Sequence, residues 1–457
     1  MAKEADFGLA DSLSPPQYKI PSVVYQHPTT KAYKSSPEDQ YVAVSPIVKG
    51  RIVDVDAYCF LLKVVLQSIL KTNPVVTINL IPLLIIGPLT AWSRNSVECV
   101  TKYVLEQLEF TALNFLDMSI ASNFGIGASV NLLVVNVGYE STQIVPVIGH
   151  QVVKFASKSL DIGSSSINRN LARLLPQLTE SQVEDLKTLG IYEVIADHEN
   201  SFYSLTDLDA IDNGDDIKAD GDEEFDVAKL VIEGDVTKNI EMAKNSAGEA
   251  DGEESNKPNH ELEVNRFIDS TTGQQVTVGK ERFQGTNELV EAIVEAIYNR
   301  LLLIPEVHKR QECYNNLIFV GSTFKIPGLK KMILIRLHDF LVRSPQELSK
   351  FKEQSSGGVS SAILAYQQAE ETIDPTEMNG ALHQVPISFK ASKYPDYFPE
   401  WKNPKAEGGS WEDVYFLGAQ IYSKQVFGSN SNHSKEMFMD SDVYEEHGPQ
   451  GIWNVII

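Results

Sequence analysis

Cysteine is scarce in this sequence. Three cysteines, Cys59, Cys99 and Cys313, stand far apart among 457 residues and show no paired spacing. This spacing argues against a disulfide framework and against a zinc module, and it is typical of proteins from a reducing compartment such as the cytosol or the nucleus. We therefore expect neither a structural disulfide nor a metal site.

The sequence also lacks a secretory signal and a membrane-spanning run. No basic stretch followed by an apolar core opens the chain. The most apolar stretch, residues 75–89, contains Asn79, Pro82 and Pro88 and is too short to cross a bilayer. We expect this stretch to form buried strands, and we expect no membrane partner.

Clustered positive charge is missing as well. The chain has 39 Lys and Arg against 62 Asp and Glu, a formal net charge of −23. Because phosphate contacts need clustered Lys and Arg, we expect no direct DNA binding, and any contact with a nucleosome would be indirect.

Two segments interrupt the globular pattern. Residues 207–254 hold 17 acidic residues and four lysines, and so carry a net charge of −13. The composition of residues 207–262 predicts a largely disordered insertion, either tolerated at the surface or acting as an acidic arm for histones. A weaker case is the Ser- and Gln-rich stretch 344–386, where we expect a further insertion near 344–372.

Hydrophobic spacing predicts an α/β fold. Residues 131–148 form two apolar runs around Gly138, which predicts a strand–turn–strand unit. Apolar residues at three- and four-residue steps predict helices over about 95–108 and 287–302, and residues 317–320 predict a buried strand. Strands and helices therefore alternate along the chain.

Common catalytic motifs are absent from the sequence. We find no HExxH, GxSxG or GxxxxGK pattern and no paired Cys–His spacing. Histidines such as His150 and His308 are scattered, and they are interpreted as ordinary surface or core residues.

Several stretches, in the same order along the chain, resemble the actin family. They are SPIVKGRIVDVDAYCFLLKVVL (45–66), LDIGSSSINRNLARLL (160–175), GQQVTVGKERFQG (273–285), GSTFKIPG (321–328), VYFLGAQIYSKQVF (414–427) and VYEEHGPQGIWNVII (443–457). A further stretch, KYPDYFPEWK (393–402), is similar to sequence found in nuclear actin-related proteins; an aromatic-rich loop packed for local stability is the alternative interpretation.

The resemblance implies an actin-like, two-lobed α/β fold of the ribonuclease H-like duplicated type. The implied subdomains are 1–26, 74–126 and 373–457 for subdomain 1; 27–73 for subdomain 2; 127–164 and 291–372 for subdomain 3; and 165–290 for subdomain 4.

Actins bind ATP between two hairpins with Gly-rich turns, each carrying a metal-side aspartate. By resemblance, the first hairpin is missing from the N-terminal residues. In the second, Asn136 replaces the aspartate, Gly138 is kept, and Tyr139 and Glu140 replace an aspartate and a glycine. The glutamine that orients water aligns with Asp117.

The adenosine side of the implied cleft is better preserved. Lys187 matches a lysine that contacts the base, and Gly321 and Thr323 persist; turn geometry alone is the alternative explanation for the glycine. We therefore predict a degenerate nucleotide cleft of Asn136, Gly138, Lys187, Gly321 and Thr323, with no catalysis, no metal and no required cofactor. Residual ATP binding stays open.

The family's groove for amphipathic helices suggests how such a chain would act. By resemblance, Phe124, Phe416, Ile421 and Val426 line this groove, and Lys424 departs from its apolar pattern. The resemblance implies a nuclear scaffold subunit of a SWI/SNF or RSC chromatin remodeller. Its implied partners are actin-related protein 7, other remodeller subunits and the helicase–SANT-associated helix of the motor ATPase, whose ATP hydrolysis it would help couple to DNA translocation. The alternatives are an actin-type nucleotide switch or weak ATPase, and a filament-forming actin.

Overall fold

The computed structural model describes residues 4–7, 13–16, 18–72, 81–127, 129–195, 259–341, 386–393, 398, 401, 413–428 and 437–455. The acidic residues 207–254 and the predicted insertion near 344–372 lie outside these ranges. The implied subdomain boundaries stay a prediction.

Strands and helices alternate through most of the described chain. The strands are β1 (Glu4–Phe7), β2 (Tyr18–Pro21), β3 (Val24–Gln26), β4 (Tyr33–Lys34), β5 (Val42–Val44), β6 (Ile47–Val48), β7 (Arg51–Ile52), β8 (Pro82–Gly87), β9 (Ala112–Asp117), β10 (Leu132–Val137), β11 (Thr142–Ile148), β12 (Gln151–Val152), β13 (Lys158–Leu160), β14 (Asn265–Ile268), β15 (Gln275–Val278), β16 (Leu317–Val320) and β17 (Met439–Asp440). The α-helices are α1 (Val55–Thr72), α2 (Arg94–Glu106), α3 (Met118–Ile126), α4 (Ser164–Leu174), α5 (Glu180–Thr188), α6 (Asn287–Leu301), α7 (Val307–Asn315), α8 (329–341), α9 (Val414–Gly428) and α10 (Ser441–His447). Short 3₁₀ helices span Leu89–Ala91, Asn259–Glu261, Lys280–Phe283, Ser322–Lys325 and Gly448–Asn454.

The larger sheet has the strand order β12-β11-β10-β16, and β13 also pairs with β11. β10 and β11 form an antiparallel hairpin, whereas β10 and β16 run parallel with Asn136 opposite Val320. Both faces of the sheet are covered: Leu133 and Val135 belong to one apolar cluster and Val134 to another. This double burial explains the nearly continuous apolar runs in the sequence, and it confirms the predicted strand–turn–strand unit and the strand at 317–320.

A second sheet has the order β17-β9-β8, with β8 and β9 parallel. Its Leu113 and Phe115 pack in an apolar cluster with α1, α2 and the C-terminal residues. In the stretch 75–89, where buried strands were predicted, Pro82–Gly87 form a strand; Ile85 and Gly87 are buried and its other residues are half-buried. Residues 75–80 lie outside the described ranges, and Leu89 begins a 3₁₀ helix.

Both predicted helices are confirmed, with small shifts at their ends. α2 begins after Ser93, whose side chain accepts a hydrogen bond from Ser96 N at 3.0 Å and so caps the helix. Val97, Val100 and Val104 are buried along one face of α2, as their spacing predicts. The other predicted helix is α6, which spans Asn287–Leu301.

Helices α3 and α9 cross at very short range. A Cβ atom on Gly418 would overlap the carbonyl oxygen of Ala121, and one on Gly125 would overlap that of Val414. Only glycine permits this approach. The crossing places α9 between the two sheets, because Leu116 of β9 and Val134 of β10 belong to the same apolar cluster as Leu417.

The N-terminal residues correct one expectation. We expected the first strand to be missing, yet β1 pairs with β2 antiparallel, with Glu4 opposite Pro21 and Phe7 opposite Tyr18. This strand could not be predicted, because a four-residue strand paired across a ten-residue connection has no periodicity long enough to recognise. Residues 8–12 of the connection lie outside the described ranges.

The end of the predicted acidic insertion also needs correction. Residues 259–262 are structured: Asn259–Glu261 form a 3₁₀ helix, and Arg282 Nη2 donates to the carbonyl oxygens of Asn259 at 2.7 Å and Leu262 at 2.6 Å. The predicted boundary at 262 is therefore wrong, because a buried guanidinium orders this stretch through its backbone. Among the described helices, none combines the length and apolar character needed to span a membrane.

Candidate functional site

The turn of the β10–β11 hairpin, residues 138–141, is the centre of the candidate cleft. Gly138 N donates to Ser141 O at 3.0 Å and closes the turn. Because β16 runs beside β10, the loop that follows it reaches the same place, and Thr323 Oγ1 donates to Gly138 O at 3.3 Å. A Cβ atom on Gly321 would lie 2.8 Å from Asn136 Oδ1. The structure thus brings together Asn136, Gly138, Gly321 and Thr323.

The backbone carbonyls of this turn face the beginning of α4. Ser164 N donates to Gly138 O at 3.0 Å, and Ser165 N donates to Tyr139 O at 2.8 Å. Gly163, which caps the helix, lies so close to the turn that a Cβ atom there would collide with the backbone of Tyr139. The first N–H groups of a helix are natural donors to an anion. Here two of them are bonded to the turn.

The side chain of Glu140 joins the turn to the hairpin formed by β6 and β7. Lys49 N donates to Glu140 Oε2 at 2.8 Å, and Lys49 Nζ lies 3.1 Å from Asp161 Oδ2. The neighbouring Gly50 accepts a buried hydrogen bond from Trp92 Nε1 at 3.0 Å. Glu140 is therefore a contact residue within the chain, a role that the sequence did not predict.

Asn136 is buried at the end of β10. Its Nδ2 donates to Gln143 Oε1 on the paired strand at 2.7 Å. A neutral amide carries no charge to balance a divalent cation. Among the described residues, no group of three or more His, Cys, Asp or Glu side chains is arranged to hold a metal ion.

Lys187 reaches the turn from α5. It is only 7% exposed, its Nζ lies 2.9 Å from Glu184 Oε2, and the same nitrogen lies 5.2 Å from the centre of the Tyr139 ring. Asn168 Nδ2 also donates to Glu184, at 2.5 Å. Lys187 therefore reaches the turn through the Tyr139 ring, and Glu184 is a neighbour that the sequence did not single out. The spacing of Glu184 and Lys187, one helical turn apart, is the signal that could have found this pair.

Asp117 has a structural role in the described chain. It is 3% exposed and caps α3, accepting hydrogen bonds from Ser119 N at 2.9 Å, Ser119 Oγ at 2.5 Å and Leu89 N at 3.0 Å. Burial raises the pKa of this carboxyl group above its ordinary value of 3.8, although the hydrogen bonds oppose the shift. The position that aligns with a water-orienting glutamine thus holds together α3 and the Leu89 turn.

An Mg–triphosphate does not fit the residues at this turn. The metal-side position holds an amide, and the Glu140 carboxylate and the Tyr139 ring occupy the turn that phosphate oxygens would approach. A carboxylate there would repel a phosphate.

The predicted groove residues divide into two classes. Phe416 and Val426 are 6% and 1% exposed and belong to the core around α9. Phe124 and Ile421 are half-buried, and the Phe124 ring lies edge-on to Tyr422 at 5.3 Å. Phe124 and Ile421 therefore keep some exposed surface, whereas Phe416 and Val426 are core residues, and the groove itself stays a prediction.

The stretch 393–402 is described only in part. Trp401 is completely buried, and its Nε1 donates to Leu13 O at 2.9 Å. Phe398 packs against the same apolar cluster. The packing of these two side chains is long-range, and it joins the C-terminal part of the chain to its beginning.

Comparison with known proteins shows what the chain is similar to. Residues 13–206 match the actin family model. The chain is 25% identical over 436 residues to the Schizosaccharomyces pombe protein "SWI/SNF and RSC complexes subunit arp9", a match that covers 90% of this chain and 78% of that protein. It is 31% identical over 86 residues, 19% of this chain and 10% of the relative, to the Saccharomyces cerevisiae "Actin-like protein ARP8".

The first relative agrees with the more specific resemblance of residues 393–402 and 414–427, which points to actin-related protein 9 of the SWI/SNF and RSC remodellers. These matches show an actin-family domain at residues 13–206, and similarity to an actin-related remodeller subunit over 90% of the chain.

Proposed function

We propose that this chain is a non-catalytic, actin-related scaffold subunit of a nuclear, ATP-dependent chromatin-remodelling complex of the SWI/SNF or RSC type. A relative whose name carries that membership matches 90% of the chain.

One observation carries the non-catalytic part of the proposal, namely the set of contacts at the β10–β11 turn. Its carbonyls bind the beginning of α4, Glu140 binds the backbone of Lys49, and Tyr139 lies beside Lys187. In an actin-type site, bound nucleotide links the elements around this turn. Here atoms of the chain provide those links, so the arrangement is held without a ligand.

The finer part of the proposal concerns partners. The chain would pair with actin-related protein 7, and the pair would sit on the helicase–SANT-associated helix of the motor subunit and modulate the coupling of ATP hydrolysis to DNA translocation. The half-buried Phe124 and Ile421 support a helix-in-groove contact, because an amphipathic helix binds through apolar side chains at three- and four-residue steps.

A nucleotide-binding switch is the second candidate, and the buried Lys187 beside the Tyr139 ring favours it. Titration of the purified chain with Mg–ATP, followed by calorimetry and thermal melting, separates the two. A ligand that binds only the folded state at about 100 times its Kd stabilises that state by about 2.7 kcal/mol. The scaffold proposal expects no saturable heat and no change in Tm; saturable, Mg-dependent binding with a raised Tm would support the switch.

Partner binding tests the scaffold proposal directly. The helicase–SANT-associated peptide should co-purify with this chain and actin-related protein 7 together. Ile421→Asp places a charge in the groove and should weaken that binding about tenfold or more, since a desolvated apolar anchor contributes over ~1 kcal/mol. Ile268→Asp, which makes the same change at a 61% exposed position of β14 outside the predicted groove, is the matched control and should bind normally. If the peptide binds neither this chain alone nor this chain together with actin-related protein 7, the remodeller assignment is ruled out.

A further inference from the structure

A cavity of about 430 Å³ lies between the β3–β5 sheet and helix α1 and is used by none of the contacts described above. We call it the basic cavity. Its floor consists of Tyr33, Phe60 and Val64, and the first two rings stack with their centres 5.5 Å apart and an angle of 28° between their planes. Stacked rings beside an aliphatic side chain form a surface that suits an aromatic or branched apolar group.

The rim of the basic cavity is polar and carries excess positive charge. Lys34 and Lys71 stand on opposite elements, β4 and α1, with three serine hydroxyls and the Gln67 amide between them. Lys34 is paired with Glu38. Lys71 is exposed, and no carboxylate among the residues that the structure describes forms an ion pair with it.

The part of the chain that surrounds the basic cavity also carries a positive net charge. Residues 18–72 contain seven Lys or Arg and four Asp or Glu, a net charge of +3, in a protein whose net charge is −23. Lys19 and Lys49 pair with Asp413 and Asp161 outside this range, which leaves an excess of one positive charge. A locally positive surface on an acidic protein attracts acidic partners and repels basic ones.

We propose that the basic cavity binds a short acidic peptide of a partner protein. An aromatic or branched apolar side chain of the peptide packs on Tyr33 and Phe60, and a neighbouring carboxylate pairs with Lys71. The cavity volume lies within the range of roughly 300–1,000 Å³ found for ligand sites, and the apolar floor favours a peptide over a bare anion.

The test uses the full chain and a fluorescein-labelled peptide of the composition Glu-Glu-Phe-Glu-Glu-Leu, followed by fluorescence anisotropy. Binding should saturate and weaken as salt is added, since the ion pair is exposed. Lys71→Glu should lower the affinity about fivefold. Val64→Ser keeps the charge but removes part of the floor, and it should lower the affinity about threefold.

The matched control is Lys63→Glu, which makes the same charge change at an exposed position of α1 that does not line the cavity. It should change the affinity less than about twofold. Equal losses for Lys63→Glu and Lys71→Glu, or no binding by the unaltered chain, would overturn the proposal. So would binding that appears only after the 17 acidic residues of 207–254 are replaced by Asn and Gln, because this chain's own segment would then be the occupant. None of these outcomes depends on the remodeller assignment.

Discussion

The two ends of the candidate cleft differ in what holds them. At the turn end, residues 138–141, side chains form the contacts: Glu140 accepts from Lys49 N, and the Tyr139 ring lies beside Lys187. At the loop end, residues 321–328, the close contacts are formed by the backbone. Gly321 has φ of 105° and Gly328 has φ of 76°, both in the region that favours glycine.

This difference changes how retained residues are interpreted. A Cβ atom on Gly321 would overlap the carbonyl oxygen of Val137, and one on Gly328 would overlap that of Val194. Both glycines are therefore required by packing, whether or not a nucleotide ever binds. At the loop end, the fold requires the glycines. At the turn end, the side chains of Tyr139 and Glu140 form the contacts.

Gly321→Ala is the strongest test of the comparison. It combines a strained backbone with an overlap against Val137, so it should lower the free energy of unfolding by about 3–4 kcal/mol, read from the urea midpoint. Gly149→Ala is the matched control: its φ is 62°, but no atom lies within 4 Å of the added Cβ. It should cost about 1 kcal/mol. Equal losses would show that packing does not explain Gly321.

Asp117 should show a structural cost when it is shortened. Asp117→Ala removes the cap of α3 and leaves the N–H groups of Ser119 and Leu89 without their acceptor, so it should cost about 2 kcal/mol. Asp117→Asn keeps a capping side chain and removes the buried charge. Because burial raises the folded pKa above 3.8, the wild type loses stability from this group as pH rises through that raised pKa.

Asp117→Asn lacks this titration. Its stability relative to the wild type should therefore increase as pH rises from 3.8 towards neutrality, as measured by urea unfolding at several pH values. An advantage that instead shrank over this window would mean that the hydrogen bonds, and not burial, dominate the pKa of Asp117.

Much of the fold could be predicted because its signals are local. Val97, Val100 and Val104 mark a helix face, and the runs around Gly138 mark a hairpin whose strands are buried on both faces. The pairing of β1 with β2 could not be predicted, since it depends on which distant residues meet and not on a repeated pattern. The contact by which Arg282 orders Asn259 could not be predicted for the same reason.

The sequence analysis named residues of the candidate site but did not predict the contacts that those residues make. Family resemblance selected Asn136, Gly138, Gly321 and Thr323, which the structure brings together, and Lys187, which lies beside the Tyr139 ring of the same turn. Nothing in the sequence indicated that Glu140 would bind the backbone of Lys49, because 91 residues separate them and a backbone donor has no residue-type signature.

Glu140→Ala tests the side-chain contact at the turn end. It removes the acceptor of Lys49 N at 2.8 Å, and the loss should be about 1 kcal/mol. Urea unfolding gives the change, and amide hydrogen exchange at Lys49 should accelerate. Glu140→Gln is the control, since its amide oxygen can still accept and should retain most of the stability. If exchange at Lys49 is unchanged in Glu140→Ala, the contact does not hold the two hairpins together.

Lys49→Ala should have the smallest effect, and it separates the backbone contact from the exposed ion pair. The variant keeps the Lys49 N–H that binds Glu140 and removes only the Nζ–Asp161 pair, whose side chains are 46% and 50% exposed. Exposed pairs contribute about 0.2–1 kcal/mol and are screened by salt, so a small loss at low salt should vanish at high salt. A large, salt-independent loss would place the link between the hairpins in the lysine side chain. The Lys49–Asp161 ion pair, and not the hydrogen bond from Lys49 N to Glu140, would then hold the turn end. The turn end would differ from the loop end by an interaction between charged side chains.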